Sequence, residues 1–453
     1  MDDHEPQDVG RTLAILGAGP AGLYAARAAA ASGRFAAIDV IEALPAPYGL
    51  VRYGVAPDHP ETKRVTKVFD RAFDSGQVRF LGNVTVGRDI AHAEFVRYYD
   101  AVVYATGVSG GRRLSIPGAD LPGSVSSADF VSWYSGHPEA RLCPPLSSVR
   151  RAVVIGGGNV ALDVARLLVS PHQGLRATDM PDDVLDVFLA SAVREVHVMV
   201  RKGPGKTRYS PVVLREFAEL PDVAPKVDRR DVEAAGDTAE MARAAQENLE
   251  MFQSWTECTD EAAARSMQFH FWTNSTEIVG IAGVEEVHAV ATAPGSAARE
   301  LKIPADLVVH CVGFGADGPD WLPSSATSGV VENLQGRVRS LDGEPMSGVY
   351  VAGWLKRGPS GTIATNRADA EETVACILED LERLPRRVHR MDVLDTLTAA
   401  GVAVVSWSGW RAIQDDEQAA GQGRGAATVK LSDRDRMVAA ANLAPSRGGL
   451  SDA

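Results

Sequence analysis

Two glycine-rich stretches of this sequence have the spacing of loops that hold phosphates. Gly17-x-Gly19-x-x-Gly22 follows the apolar run 13–16 and precedes the alanine-rich stretch 23–31. In that order Gly17 permits a tight turn and Gly19 lets backbone approach a pyrophosphate. Gly22 lets the following helix pack on the strand before it. The helix N-terminus, with Ala21 in its first turn, then offers partial positive charge to the phosphates. Glu42 follows the next apolar run, 35–41, where a carboxylate would accept from ribose hydroxyls. An unphosphorylated ribose suits FAD and NAD equally, so this loop alone does not choose between them.

The second stretch, Gly156-Gly157-Gly158-Asn159-Val160-Ala161, replaces the last glycine by alanine. It too stands between an apolar run, 152–155, and a helix-like segment, 162–169. Its companion strand, 195–200, ends in Arg201-Lys202 and not in an acid. Two cations there attract a 2′-phosphate, which favours NADP over NAD, although a basic strand end can also be merely solvated. Two further segments carry chemistry-bearing residues outside any generic motif. Residues 50–60 place one histidine, His59, among two prolines and two glycines. Residues 353–366 couple Trp354 to a Gly-Pro-x-Gly turn that opens a helix. On residue type alone, His59 reads as structural and Trp354 as core.

The elements that must position these residues alternate strand, turn and helix, the pattern of an α/β protein. At 453 residues the chain exceeds one ordinary core, so two domains are expected. Strand-like runs at 100–105 and 306–312, each followed by glycine, read as exits from the first and second domains, and 348–353 as another buried strand. The stretch 231–265, rich in Ala and Glu, reads as a solvent-facing helix, and the Gly-rich 420–427 as a loop. A net charge of −13, from 46 basic and 59 acidic residues, argues against non-specific nucleic-acid binding. No apolar run is long enough to cross a membrane, and the acidic, polar residues 1–10 are unlike a targeting peptide, so a cytoplasmic protein is expected. Cys143, Cys258, Cys311 and Cys376 are widely spaced, with no C-x-x-C and no metal-ligand cluster. They read as buried or inert thiols, which excludes disulfide-shuttling chemistry and cysteine-held metal or iron–sulfur centres in this chain.

Three longer strings carry a resemblance: LVRYGVAPDHP (50–60), GGGNVALDVARLL (156–168) and GWLKRGPSGTIATN (353–366). Together they resemble the adrenodoxin-reductase-type ferredoxin–NADP(+) reductases, bacterial members included, from about Thr12 to a final helix near Met437. The resemblance implies two Rossmann-like dinucleotide-binding domains of the glutathione-reductase-like flavoprotein type. An FAD domain, 1–112 and 316–453, would be interrupted by an NADP domain, 113–315. It implies FAD with Ala21 at the pyrophosphate, Glu42 at the ribose, Leu50 and Val86 along the cofactor, and Trp354, Gly361, Thr362 and Ile363 at the flavin ring. It implies NADPH with Gly157, Gly158, Asn159 and Val160 at the pyrophosphate, Arg201 and Lys202 at the 2′-phosphate, Arg112 nearby, and Gly361 touching both cofactors. His59 resembles an active-site histidine paired with a carboxylate that falls at Glu216.

The implied reaction is hydride transfer from NADPH to flavin, then two single-electron transfers to a ferredoxin-type iron–sulfur protein, by a cytoplasmic monomer. Lys206, Arg208 and Arg215 are candidate docking cations for that partner, or scattered solvated charges. The chain departs from the family where Lys202 replaces an arginine, where residues 205–211 replace a more apolar segment, and where Val213 stands in place of a glutamate at the nicotinamide end. Those departures keep two alternatives in view: a flavin reductase or oxidase acting on a small molecule, and a non-catalytic flavin-binding subunit. Glutamate synthase small subunits share the two-site layout, but their N-terminal cysteine clusters are missing here.

Overall fold

Strands that are apolar at nearly every position are covered on both faces, and two parallel sheets account for most of them here. The computed structural model describes residues 10–73, 76–236, 241–257, 263–325, 329–384 and 392–443. It divides into two units: Met1–Gly110, Ser135–Glu139 and Gly315–Ala453 form one, and Gly111–Tyr134 with Ala140–Phe314 the other. The division falls before Arg112 rather than after it, and the short piece Ser135–Glu139 belongs with the first unit.

The first unit is built on a seven-stranded sheet. Its parallel strands run Pro345–Val351, Ala101–Tyr104, Arg11–Leu16, Phe35–Ile41, Val78–Leu81, and Asn333–Leu334 and Arg337–Arg339 extend one edge antiparallel. Strand order reverses at Arg11–Leu16, because the chain goes one way to Phe35–Ile41 and returns on the other side at Ala101–Tyr104. A ligand crevice opens at the carboxyl ends of strands at such a point. The helices Pro20–Ser32 and Thr365–Asp380 pack together on one face, with Leu23, Ala26, Ala370 and Ile377 wholly buried. The predicted strands at 100–105 and 348–353 appear as Ala101–Tyr104 and Pro345–Val351.

The second unit repeats the plan on a six-stranded parallel sheet ordered Ser124–Ser126, Leu307–His310, Arg151–Ile155, Glu195–Met199, Arg265–His270, Val223–Val227. Order reverses at Arg151–Ile155, directly before the second glycine loop. A three-stranded antiparallel sheet, Thr273–Val279, Glu286–Ala291 and Arg299–Pro304, supplies Ile278, Val287 and Ile303 to a core with Val153 and Val308. The stretch 231–265 differs from its predicted solvent-facing helix. It holds Arg229–Glu233 and Arg243–Ser254, and its last residue opens the strand Arg265–His270. Phe252 and Trp255 are buried against Phe269, with ring centroids 5.3 and 5.6 Å away.

This unit buries histidines in neutral form. Burial brings His172 down to about 4 and His270 down to about 3, and lowers His197, whose Nδ1 lies 2.9 Å from His270 Nε2. The Arg299 cation lowers His270 further, against a weaker opposing pull from Asp228. An unfolded histidine titrates near 6.5, so the folded form binds fewer protons and loses stability as pH falls below about 6.5, by about 1.4 kcal/mol per pH unit per group. Asp231, raised to about 6 chiefly by burial, opposes them: its contribution falls as pH rises from about 4 to about 6. The net expectation is a urea midpoint that drops between pH 6.5 and pH 4, with a shallower drop in His270→Gln. An equal slope in the variant rules out His270 as a source.

Candidate functional site

The first glycine loop leaves the carboxyl end of Arg11–Leu16 through Gly17, at φ +103°, where a Cβ would sit 2.4 Å from the Ala105 carbonyl oxygen. Gly22 lies so close beneath the turn that a Cβ would come 1.9 Å from the Gly17 oxygen and 3.2 Å from Ile15. The helix Pro20–Ser32 then starts with Gly19 as its N-cap, Pro20 in the first turn, no side chain capping it and no acid in that turn. Its first N–H groups therefore remain available to an anion. Glu42 sends one carboxylate oxygen 2.8 Å to the Ala18 N–H and the other 3.1 Å to the Leu44 N–H. Burial pushes its carboxyl above the ordinary range, and these backbone donors pull against the shift. Each oxygen still has acceptor capacity for a hydroxyl.

Two segments distant in sequence close on this turn. Tyr48, at φ +84°, donates its N–H to the Ala18 oxygen at 2.8 Å, and a Cβ on Gly49 would stand 3.0 Å from Gly19 Cα. Leu50, next along, is 39% exposed despite being apolar, whereas Val86 is buried. Gly353, at φ +73°, would place a Cβ 2.6 Å from the Ala21 methyl, which brings Trp354 beside the first turn of the helix. Asp369 accepts the Gly353 N–H at 2.5 Å and holds Lys356 at 3.3 Å. Gly361 takes φ +84°, and the Thr362 N–H donates to Thr365 Oγ1 at 3.0 Å. Gly361 and Thr362 are exposed and Ile363 half-buried. Tyr48, Gly49 and Asp369 were missed in the sequence. Only the glycine at 49 gave a signal, and it was indistinguishable from other turn glycines.

The second loop has the same construction in the other unit. Gly156 packs on Cys311, whose oxygen would lie 2.5 Å from an added Cβ. Gly158 is the N-cap of Asn159–Val169, again with no side-chain cap and no acid in the first turn, and a Cβ there would meet nothing within 4 Å. Val160 follows in that first turn. The strand Glu195–Met199 delivers Arg201 and Lys202, both exposed. Their position is fixed from beneath: Trp272 donates its backbone N–H to the Lys202 oxygen at 3.2 Å, and Gly203 lies flat on its indole. Arg112 bonds the Phe314 oxygen through Nε at 3.1 Å, and its N–H meets the Gly313 oxygen at the end of Leu307–His310.

Glu216 lies on the helix Pro211–Ala218, 2.9 Å from the buried Arg166, which Asp163 also holds at 3.0 Å. His59, half-buried in the first unit, is the N-cap of a short turn, Pro60–Lys63. Of the three candidate docking cations, Arg215 meets Glu247 at 4.0 Å, Lys206 is exposed, and Arg208 is bridged to Gly158. The thiols differ in their surroundings. Cys143 is exposed, Cys376 is buried, burial pushes the Cys311 thiol up to about 12, and Cys258 lies outside the described residues. Among the described residues no group of three metal-ligating side chains occurs, and no helix is long and apolar enough to cross a membrane.

Two strand–glycine–helix cradles, one with a buried acid at its turn and one with a basic strand end, define a two-dinucleotide oxidoreductase. Residues 11–201 match the pyridine nucleotide-disulphide oxidoreductase family. Over 443 residues the chain is 37% identical to the NADPH-ferredoxin reductase FprA of Mycobacterium leprae, covering 92% of this chain and 96% of that one. It is 34% identical to the mitochondrial NADPH:adrenodoxin oxidoreductase of Salvelinus fontinalis, across 94% of this chain and 90% of the relative. The solved structure of Mycobacterium tuberculosis FprA in complex with NADPH superposes with a TM-score of 0.89 at 34% identity, covering 96% of this chain and all of that one. The chain therefore belongs to the adrenodoxin-reductase-type ferredoxin–NADP reductase family.

Proposed function

We propose that this protein is an FAD-dependent reductase that takes electrons from NADPH and passes them to a ferredoxin-type iron–sulfur protein. The carrying observation is the pair of cradles in one chain, an acid closing the first and Arg201-Lys202 closing the second. FAD, when bound, accepts a hydride and releases its electrons singly, which is what a nicotinamide donor and a one-electron acceptor require of an intermediary.

The residues present fit that division of labour. On the turn that Gly17 permits, Gly19, Ala21 and Gly22 would hold the FAD pyrophosphate with N–H groups that no side chain caps, and Glu42 would accept the ribose hydroxyls. Leu50 and Val86 would line the cofactor, with Trp354, Gly361, Thr362 and Ile363 at the ring. The exposure of Leu50 supports this placement, since an apolar side chain there gains by being covered. Gly156, Gly157, Gly158, Asn159 and Val160 would hold the coenzyme pyrophosphate, with Arg201 and Lys202 on the 2′-phosphate and Arg112 near. His59 and Glu216 would orient the nicotinamide. Glu216 comes to that role already tied to Arg166, so its carboxylate is fixed in direction. The family resemblance supports a monomer working in the cytoplasm.

Anaerobic stopped-flow reduction by NADPH and NADH, side by side, tests the reading. Flavin absorbance should bleach rapidly with NADPH and slowly with NADH. Arg201→Ala should raise KM for NADPH about tenfold or more, the loss expected of a charged hydrogen bond, and leave NADH unaffected. Comparable rates with both coenzymes in the unaltered protein would remove the NADP assignment, and no bleaching by either would remove the reductase. The same traces decide the orienting pair: unchanged hydride-transfer rates in both His59→Ala and Glu216→Gln would end that proposal.

A further inference from the structure

Residues 205–211 fold against the second glycine loop. Arg208 pairs with Gly158 in an isolated parallel bridge, and its N–H donates to the Gly157 oxygen at 3.0 Å. Two positions on, the Ser210 N–H donates to Asn159 Oδ1 at 2.8 Å. Between them Tyr209 turns inward, only 4% exposed. Its hydroxyl donates to the Gly156 oxygen at 3.2 Å, and its own carbonyl accepts from Asn248 Nδ2 at 2.9 Å. The segment is therefore held to the loop at four consecutive residues, 156 to 159.

Thr207 and Ser210 both have extended backbone, and in extended chain neighbouring side chains point to opposite sides. With Tyr209 beneath the loop, Arg208 projects from the opposite side, and it is exposed there. Among the described residues its guanidinium meets no carboxylate. Bridged residues lie about 5 Å apart at Cα, so this cation stands within a side chain's reach of the N-cap of Asn159–Val169. That N-terminus has no side-chain cap and no acid in its first turn, and the space beside Gly158 is open.

We infer that Arg208 is a coenzyme-pyrophosphate ligand. The inference rests on the reading that this loop holds the coenzyme. The guanidinium gives the second cradle a fork for phosphate oxygens beside the helix N-terminus, where the backbone alone would otherwise serve. Its bridge to the N-cap glycine sets it at the pyrophosphate, whereas Arg201 and Lys202 stand at the end of the neighbouring strand. The same placement takes Arg208 out of the candidate docking surface for the iron–sulfur partner.

Calorimetric titration of the FAD-loaded protein with NADP+ and with NAD+ tests this, with ferredoxin turnover measured in parallel. Because both coenzymes carry the pyrophosphate, Arg208→Ala should weaken both by a similar factor, about tenfold for a lost charged hydrogen bond. Arg208→Lys should recover part of the loss, and KM for ferredoxin should not change. Coenzyme binding within about twofold of the unaltered protein overturns the inference. So does weakening of NADP+ alone, or a raised KM for ferredoxin with coenzyme binding intact. Arg201→Ala, run beside it, should weaken NADP+ only. If that variant is silent the coenzyme reading of the whole cradle fails, whereas an active Arg201→Ala beside a silent Arg208→Ala removes the Arg208 assignment alone.

Discussion

Gly22→Ala is expected to give a folded chain that purifies largely without flavin and with NADPH-to-ferredoxin activity reduced at least about tenfold. The reason is geometric. A single methyl at position 22 would stand 1.9 Å from the Gly17 carbonyl oxygen, far inside any real contact, with Ile15 at 3.2 Å on the other side. Neither neighbour is a flexible side-chain end. Gly17 is itself pinned, since its N–H donates to the Ile41 oxygen at 2.7 Å and its Cα faces the Ala105 carbonyl. The helix must therefore withdraw from the strand, at a cost of about 1–3 kcal/mol for an overpacked site. That movement carries away the N–H groups of Ala21 and Gly22, which are the proposed phosphate donors. The sheet does not depend on this contact, so far-ultraviolet circular dichroism should be near that of the unaltered chain. The ratio of flavin to protein absorbance is the measurement. A variant with full flavin content would show that the helix N-terminus is not what holds the pyrophosphate. Gly33→Ala is the control: at φ +64° it carries a backbone strain that Gly22 does not, but nothing lies within 4 Å of its added Cβ. It should retain its flavin.

How far the site could be read from the sequence depends on where each residue's reason for being there lies. Gly17, Gly19, Gly22 and the 156–161 loop each join a strand to the helix that follows it directly in sequence, and Glu42 ends the next strand. Their spacing therefore records the strand, turn and helix that use them. Strands such as Phe35–Ile41 were legible for the same reason, being short apolar runs between turn residues. The stretch 420–427 was not. Its glycines read as a loop, yet Trp407–Arg424 is one continuous helix that ends in Gly425 at φ +77°. Gly421 is inside it because a Cβ would strike the Thr428 backbone at 2.7 Å. Close packing outweighs a helix penalty of about 1 kcal/mol for glycine, and nothing local announces that contact. Trp272 is a similar case. No motif in the sequence marks it, but its backbone and ring fix Lys202 and Gly203, 70 and 69 positions earlier. The inward turn of Tyr209, which sets the direction of Arg208, follows from a hydroxyl bond to Gly156 and has no periodicity to reveal it.

The least legible pair predicts the largest loss of stability. Glu417→Ala is expected to destabilise the first unit by about 3–5 kcal/mol, because it strands a buried guanidinium. Arg52 lies in the short helix Leu50–Tyr53, and Glu417 in Trp407–Arg424, 365 residues later. They meet fork to fork at 3.0 and 2.5 Å, with side chains only 7% and 4% exposed. Burial works against the Arg52 charge, and Glu417 more than offsets it, leaving the guanidinium above its ordinary range. The Trp410 ring lies 5.2 Å from the same cation, Lys430 Nζ donates to the Arg52 oxygen at 2.7 Å, and the Leu431 N–H donates to Glu417 at 2.8 Å. The C-terminal arm thus grips the segment that leads from Gly49, and Gly49 touches the first glycine loop. Urea unfolding should show the loss in Glu417→Ala, accompanied by weaker flavin retention. Arg52→Met combined with Glu417→Leu should restore most of the stability, since a buried ion pair replaced whole by apolar groups is close to neutral. If the double variant recovers stability but not flavin, the pair itself positions the cofactor segment. If it recovers both, filling the volume is enough. A shift below about 1 kcal/mol in Glu417→Ala would mean that water reaches Arg52, and the bracing of the cradle by this arm would have to be given up.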